Sequence, residues 1–270
     1  MKFKEFFFLT GLRPKPKTYS FAVNTFHLPV DGEVFYAHWL HPKEQKKQIL
    51  QEEVDELRTF LSPGDVAIDI GAHTGDSTLP IALAVGSKGV VIALEPNPYV
   101  FRILERNAYL NPKNTKIIPL NFAATAVNGE FDSHYSDSGF CNGGIHEGVS
   151  PWTHFHAFKL RILGRNLADV LALEYAELLP RIRYIKVDTE GHDATVLSTL
   201  TSVISQTRPF IRAEVYRHLN AQKRQDLFRM IANLGYVIHR RESSTRYVGM
   251  RLAEADLMRW EHYDIFCVPQ

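Results

Sequence analysis

The sequence predicts an α/β fold built on a doubly wound parallel sheet, and three observations predict it. From Asp65 onward, short apolar runs alternate with stretches that have helical periodicity. The apolar runs are continuous, which is typical of parallel strands that are buried on both faces. The run at 66–70 leads directly into a turn that contains Gly71 and Gly75. Because doubly wound sheets bind ligands at such carboxyl ends of strands, we expect a ligand site at this turn.

The chain begins with a β-rich segment and then passes into alternating strands and helices. Within 21–39, the pair Asp31-Gly32 between alternating apolar residues predicts a β-hairpin. A helix is predicted over 43–61, because its apolar residues have helical spacing and Ser62-Pro63-Gly64 follows them. Strands are predicted at 66–70, 90–94, 117–124, 184–187, 210–215, 236–239 and 263–268. Helices are predicted between them at 77–85, 99–110, 194–204 and 221–234.

These elements divide the chain into an N-terminal extension over 1–47 and one α/β domain over 48–270. The extension comprises a short helix and the hairpin, and the domain carries an insertion near 131–161 that we expect to cover the substrate. The apolar run at 6–9 is too short for a signal peptide, and a segment rich in proline and lysine follows it. We expect this helix to pack on the body or on a second subunit, as in a homodimer, with peripheral membrane contact as the alternative.

Composition and charge exclude several classes of function. Of the 270 residues, 45% are hydrophobic and 23% are charged, as in ordinary soluble proteins. The formal net charge of +1 produces no global field that would attract nucleic acid or an anionic membrane. Cys141 and Cys267 are interpreted as reduced thiols, and no run approaches the ~20 apolar residues of a membrane-spanning helix. We therefore expect a cytoplasmic protein without a nucleic-acid partner or a transmembrane segment.

The turn at 69–78 indicates what kind of ligand the site takes. Gly71 and Gly75 let the main chain turn tightly and approach a ligand closely, because neither has a Cβ atom. The following helix offers free N–H groups, with Asp76 or Ser77 available as its cap. The spacing matches neither the G-x-G-x-x-G dinucleotide fingerprint nor the phosphate-binding P-loop. The turn therefore favours a ligand without phosphate groups.

Glu95 ends the second strand of the predicted domain. A carboxylate at this place can accept hydrogen bonds from both hydroxyls of a nucleoside ribose. The alternative is a surface glutamate that caps the next helix. A nicotinamide dinucleotide would use the same acid but needs a third glycine, so S-adenosylmethionine is the candidate cofactor.

A second group of ionisable residues follows the strand at 184–187. Its members within six residues are Asp188, Glu190, His192 and Asp193. Burial of so many charges without a use is costly, so we expect the group to face a cleft. The alternative is that Asp188 caps the next helix while the other acids offset the helix dipole.

Five segments together resemble one known family. They lie at 69–75, 95–97, 185–193, 210–215 and 264–269. They resemble the FkbM-type S-adenosylmethionine-dependent methyltransferases, and the resemblance covers the chain from about residue 48 onward. It implies a class I methyltransferase (Rossmann-like) fold with a mostly parallel seven-stranded sheet, the last strand antiparallel, and helices on both faces. It also implies S-adenosylmethionine as cofactor and methylation of a hydroxyl, in relatives often on a sugar or a polyketide-like small molecule. His73 stands where the family often has asparagine, and both residue types tolerate a left-handed backbone.

The motifs and the resemblance together predict two sets of site residues. The cofactor-binding set is Asp69, Gly71, His73, Gly75, Glu95, Pro96, Asn121 and Asp188. The catalytic set is His192, Asp188, Glu190 and Glu214. Transfer to a hydroxyl benefits from a base, and an unperturbed histidine titrates near neutral pH, so His192 is the first choice. Glu214 ends the next strand and is expected to project into the same cleft.

Several alternatives stay open. No metal is predicted, although two sets of side chains would supply ligands: His146, Glu147, His154 and His156 in the insertion, or Asp188 with Glu214. The basic residues near the last strands are interpreted as a solvated surface, with contact to an anionic acceptor as the alternative: Arg240, Arg241, Arg246 and Arg251. The expected partner is a small-molecule or glycan acceptor. The competing functions are methylation of nucleic acid or protein, and cofactor binding without catalysis.

Overall fold

The structure is a computed structural model that describes residues 18–135 and 158–270. The predicted N-terminal helix lies outside these ranges, as do Cys141 and the four residues proposed as metal ligands in the insertion. Every strand predicted from the sequence lies inside them.

The described residues form twelve strands and seven α-helices. The strands are Phe21–Leu28 (β1), Gly32–Trp39 (β2), Val66–Ile70 (β3), Val90–Leu94 (β4), Ile117–Leu120 (β5), Ala123–Ala124 (β6), Gly129–Tyr135 (β7), Phe158–Arg165 (β8), Ile182–Val187 (β9), Phe210–Val215 (β10), Tyr236–Arg240 (β11) and Tyr263–Pro269 (β12). The helices are Gln51–Leu57 (α1), Thr78–Val85 (α2), Pro98–Ala108 (α3), Leu167–Glu174 (α4), Asp193–Thr199 (α5), Thr201–Thr207 (α6) and Ala221–Asn233 (α7). Short 3-10 turns cover Ala176–Arg181 and Glu254–Asp256.

One seven-stranded sheet organises the molecule, in the order β5-β4-β3-β9-β10-β12-β11. Its strands are parallel except for β12, which runs antiparallel to both β10 and β11. This confirms the predicted doubly wound sheet with an antiparallel last strand. The chain runs outward from β3 to β5 and then returns to β9 on the other side of β3. The carboxyl ends of β3 and β9 therefore flank the topological switch point, where such sheets bind ligands.

Both faces of the sheet are covered by helices, as the continuous apolar strands predict. Ile68 packs into a core with residues of α4 to α7, whereas its neighbour Ala67 packs into a second core with residues of α1 to α3. Successive side chains of a strand point to opposite faces, so each central strand serves both cores. The strands are held on both sides, and their carboxyl ends form a rigid base for a site.

The first two strands pair as the hairpin that Asp31-Gly32 predicts, with Leu28 opposite Gly32. The hairpin is attached to the main body by buried polar contacts. Asn107 of α3 accepts from the Ala37 N–H at 2.6 Å and donates to the Ala37 carbonyl at 3.1 Å. The Tyr36 hydroxyl lies 2.7 Å from that of Thr74 in the glycine turn. The hairpin thus supports the turn from behind.

Three predicted elements differ from the observed ones. The predicted strand at 117–124 ends at Leu120, and Ala123–Ala124 joins a separate three-stranded sheet with β7 and β8. The predicted helix at 43–61 is reduced to α1, and residues 43–50 form an irregular segment. The predicted helix at 194–204 is interrupted at Leu200. Hydroxyls on both sides of Leu200 bond to carbonyls three residues earlier, which competes with the regular helix pattern.

Candidate active site

A cavity of about 810 Å³ opens at the carboxyl ends of β3, β4, β9 and β10. Its volume lies within the roughly 300–1,000 Å³ of small-molecule sites. Seven of the predicted site residues line it: Gly71, His73, Glu95, Pro96, Asp188, Glu190 and His192. Asp69, Gly75, Asn121 and Glu214 do not line it. The first sequence motif and the second therefore meet at one cavity.

The glycine turn is shaped by a close approach of two loops. A Cβ atom on Gly71 would lie 1.9 Å from the backbone oxygen of Asp188, and Gly71 has a φ of +78°. Only glycine meets both conditions. His73 adopts a left-handed φ of 50°, which orients its backbone N–H toward the Glu95 carboxylate. Gly75 has a φ of +89° and contributes to the turn rather than to the cavity wall.

Glu95 is held by backbone donors at the end of β4. Its Oε2 accepts from the His73 N–H at 3.0 Å, and its Oε1 accepts from the Asn97 N–H at 2.8 Å. Burial raises the pKa of Glu95 to about 7, although both backbone bonds lower it. Each carboxylate oxygen can accept a second hydrogen bond, so the pair can still receive two hydroxyl donors. Asn121 does not line the cavity, and its side-chain amide donates to the Glu95 backbone carbonyl at 2.8 Å.

A buried ion pair lies beneath the meeting point of the two loops. The ammonium of Lys186 is 2.9 Å from Asp69 Oδ1 and 3.6 Å from Asp188 Oδ2, and it donates to the Gly71 carbonyl at 3.1 Å. Burial alone would lower the pKa of Lys186, but the two carboxylates outweigh it and raise that pKa. Asp69 also accepts from the hydroxyls of Ser77 and Thr78 at 2.9 and 2.7 Å. Asp69 therefore stabilises the turn from below, and its predicted direct contact with the cofactor stays a prediction.

The loop after β9 carries the predicted catalytic residues. Glu190 has a left-handed φ of 54°, and burial together with the neighbouring Asp188 raises its pKa to about 7. Asp193 is buried, and it accepts from the Thr189 hydroxyl at 2.9 Å and from the Glu214 N–H at 3.0 Å. Asp193 thus ties the loop to β10 and orients the loop toward the cavity.

Glu214 lies apart from the cavity that the other candidates share. Its Oε1 is 3.3 Å from Nε2 of His262. Burial, followed by the nearby Asp188 and Glu190, raises the pKa of Glu214 to about 9. Its absence from the cavity wall disfavours Glu214 as a base. Its predicted catalytic role stays a prediction.

Sequence reasoning missed part of the cavity wall. Glu53 of α1, Lys47 of the preceding segment, and Arg212 and Arg241 near the last strands all line the cavity. Arg241 was interpreted as a solvated side chain, and this is wrong, because its side chain is only 10% exposed. Its position in the cavity depends on the return of the chain after β11, which no local sequence pattern indicates.

A metal is not indicated by the part of the chain that the structure describes. No group of three or more histidine, cysteine, aspartate or glutamate side chains within 18–135 and 158–270 could hold one. Asp188 and Glu214 do not share the cavity wall. Within the same ranges, no helix combines the length and the apolar character needed to cross a membrane.

The family follows from a match that includes most of the cavity lining and most of the sheet. Residues 69–238 match the family model described as the methyltransferase FkbM domain. The chain belongs to this family. Its seven-stranded sheet with antiparallel β12 is the class I fold that the resemblance implies, and the cofactor of this methyltransferase family is S-adenosylmethionine. The resemblance drawn from the motifs is thereby confirmed.

The individual proteins to which this chain is similar have low sequence identity to it. A curated relative, the hexuronic acid methyltransferase AglP of Haloferax volcanii, is 30% identical over 170 residues, which are 62% of this chain and 64% of the relative. This chain therefore spans less than two thirds of that relative's length. A solved methyltransferase FkbM from Methylobacillus flagellatus is 17% identical with a TM-score of 0.48, covering 76% of this chain and 44% of that one. An S-adenosylmethionine-dependent O-methyltransferase from Thermotoga maritima is 12% identical with a TM-score of 0.45, covering 91% and 77%.

The residues of the cavity fit S-adenosylmethionine by their donor and acceptor chemistry. The free acceptor positions of Glu95 suit the two ribose hydroxyls of a nucleoside. Apolar Val100 and Phe122 line the same side of the cavity and suit an uncharged base. The Gly71 turn brings the main chain to the cavity without a side chain in between.

Proposed function

We propose that this methyltransferase transfers the methyl group to a hydroxyl of a small molecule, with a sugar or a glycan as the acceptor class. One observation carries the proposal: two walls of different chemistry face a single cavity. One wall presents Glu95 with backbone groups, and the other presents Asp188, Glu190 and His192. A nucleoside-binding wall beside ionisable side chains is what methyl transfer to a weakly acidic hydroxyl requires.

The first wall would bind and orient the cofactor. Glu95 would accept from its ribose hydroxyls, and Pro96 and the His73 backbone would border it. Asp188, which directly follows β9 and lies beside the Gly71 turn where the two walls meet, would face its methionine portion. When bound, S-adenosylmethionine supplies an electrophilic methyl group on a positively charged sulfur.

The second wall would prepare the acceptor. A sugar hydroxyl is a weak nucleophile at neutral pH, so a base that removes its proton assists the reaction. We assign this role to the Glu190 carboxylate, because a pKa of about 7 lets it be ionised and still accept a proton near neutral pH. Glu190 would take the proton of the acceptor O–H, and the bound cofactor would supply the methyl group, whose bond to sulfur would be replaced by the bond to the acceptor oxygen. His192, the first choice from the sequence, lines the same wall and is the competing base.

The acceptor class rests on two supports. The family resemblance implies hydroxyl methylation, and the curated relative is named for a sugar acid.

Composition and the interpretation of the cysteines support a cytoplasmic location, and the apolar N-terminal segment supports a homodimer.

The test is a transfer assay with S-adenosylmethionine labelled in its methyl group and a panel of sugars and glycosides. We expect label on a sugar product that survives mild alkali, because a methyl ether is stable where a methyl ester is cleaved. Label that alkali releases would place the methyl group on a carboxylate and contradict the hydroxyl proposal. Cofactor binding without transfer to any hydroxylated acceptor would favour a non-catalytic binding module. Transfer to RNA, DNA or protein alone would favour the remaining alternatives.

A further inference from the structure

Two arginines line the cavity on the side away from Glu95, and the proposed methyl transfer does not use them. Arg212 lies on β10 and Arg241 directly after β11, whereas Glu95 follows β4. In the sheet, β3 and β9 separate β4 from β10. Three strand spacings amount to roughly 14 Å. The arginines therefore border the part of the cavity that a nucleoside at Glu95 leaves for the acceptor.

The two guanidinium groups share a single carboxylate. Arg212 approaches Asp264 Oδ2 at 2.7 Å, and Arg241 approaches the same oxygen at 3.1 Å. Burial opposes ionisation of Asp264, but the two arginines hold its pKa below its ordinary value, so it stays charged. Two cations against Asp264 leave one positive charge in excess. Glu53 lines the same cavity and interacts with both arginines, but burial raises its pKa to about 7, so at neutral pH it offsets this charge only in part.

This excess charge is buried, and part of its donor capacity is unused. The side chains of Arg212 and Arg241 are 13% and 10% exposed. Among the described residues, the Nε of Arg241 has no hydrogen-bond partner but is fully buried, and Nη1 donates to Asp264, so a cavity ligand would have to approach the terminal nitrogens. A guanidinium carries five N–H donors in a planar fork, which suits paired binding of a carboxylate. The Arg241 guanidinium also contacts the Tyr247 ring, with its Cζ 4.5 Å from the ring centre.

We propose that Arg241, supported by Arg212, binds a carboxylate group of the acceptor, so that the protein selects a sugar acid over the corresponding neutral sugar. A ligand carboxylate would supply the negative charge that the cluster lacks and would engage donors that face the cavity. This inference rests on the proposed function, because it takes the ligand on this side of the cavity to be the acceptor. The cofactor also carries a carboxylate, on its methionine portion, so the test has to separate the two sources.

The test measures binding rather than turnover, so its failure is distinguishable from failure of the proposed methyl transfer. The protein is saturated with S-adenosylhomocysteine and titrated with the methyl glycosides of glucuronic and galacturonic acid, with those of glucose and galactose, and with glucose 6-phosphate. We expect at least one acidic glycoside to bind about tenfold or more tightly than its neutral counterpart, as for a hydrogen bond to a charged group.

Arg241→Gln should reduce this preference to within about twofold, because the charge and the fork are both lost. Arg240→Gln is the matched control: Arg240 ends β11 and also lies 4.5 Å from an aromatic ring, that of Trp260, but does not line the cavity. It should keep the preference. If Arg241→Gln does not fold, Arg241→Lys replaces it, and we expect it to keep the charge but lose most of the preference.

Four outcomes would overturn the proposal. The first two are equal binding of acidic and neutral glycosides, and no binding of any acidic glycoside while S-adenosylhomocysteine binds normally. The third is tighter binding of glucose 6-phosphate than of either acidic glycoside. The fourth is a loss of S-adenosylhomocysteine affinity in Arg241→Gln as large as the loss of glycoside affinity. The last would assign the arginines to the cofactor.

Discussion

The two halves of the cavity are built in different ways. The cofactor half consists of the Gly71 turn and Glu95, and its hydrogen bonds come from backbone N–H groups. The half that we assign to the acceptor contains Glu190 and His192 together with long charged side chains that reach the cavity from distant parts of the chain: Glu53, Arg212 and Arg241. Backbone geometry allows little variation, whereas side chains can change without a change of fold. We infer that the fold determines the cofactor and that separate side chains determine the acceptor.

The largest expected effect concerns the base in the acceptor half. Glu190→Gln should lower kcat about 10²–10⁴-fold, because the amide cannot take the hydroxyl proton. Cofactor affinity should stay within about twofold, since Glu190 belongs to the other wall. Steady-state kinetics and calorimetry with S-adenosylhomocysteine measure the two effects. His192→Asn is the comparison variant, and a larger loss of kcat there, with Glu190→Gln near wild type, would transfer the role of base to His192.

The next largest effect concerns the buried ion pair of Lys186 and Asp69, which forms the boundary between the two halves. Lys186→Met should lower the free energy of unfolding by about 3–5 kcal/mol, because Asp69 would keep a buried charge without its cation. Urea unfolding monitored by circular dichroism measures it. Arg183→Met, at an exposed position of the same strand, is the control and should change stability by less than about 0.5 kcal/mol. A loss of similar size in both variants would show that the buried ion pair does not support the boundary.

A smaller effect is expected in the cofactor half. Glu95→Gln should weaken binding of S-adenosylhomocysteine about 10–100-fold, because the amide loses an acceptor and directs N–H donors at a backbone N–H. Glu105→Gln, on the exposed side of α3, should leave the affinity unchanged. Unchanged affinity in Glu95→Gln would contradict the assignment of this half to the ribose.

The smallest expected effect is that of pH on the acceptor half. Glu190 must lose its proton to act as a base, and its pKa is about 7. The rate constant kcat should therefore rise with pH below this value, up to about tenfold per unit, and level off above it. The residual activity of Glu190→Gln should lack this rise. A wild-type rate that falls as the pH increases from 6 to 7 would contradict the assignment.

The same contrast explains how much the sequence could predict. The bounds of β3, β4 and β10 agree with the predicted strands, because apolar runs and adjacent turns are local signals. The Gly71 turn and Glu95 were identifiable for the same reason. The resemblance then supplied the antiparallel last strand, which no local pattern indicates.

The acceptor half, and the ion pair that lies between the two halves, depend on contacts between residues far apart in the chain. Lys186 and Asp69 are 117 residues apart, and nothing near either one indicates the other. Arg241 resembles a surface arginine until β11 returns it to the cavity. Likewise, β7 pairs with β8 although residues 136–157 separate the two strands in sequence. No local pattern therefore indicates that these strands meet. Hydrophobic periodicity predicts single helices and strands, but it does not predict contacts between residues far apart in the chain.

The most direct test of the two-half account is a pair of binding titrations on three proteins: wild type, Glu95→Gln and Arg241→Gln. Each protein is titrated first with S-adenosylhomocysteine and then, once saturated with it, with the acidic glycoside that wild type binds best. The account predicts opposite selectivity: Glu95→Gln loses affinity for S-adenosylhomocysteine and keeps affinity for the glycoside, whereas Arg241→Gln does the reverse. Parallel losses of both affinities in both variants would contradict it, because the cavity would then act as one undivided site.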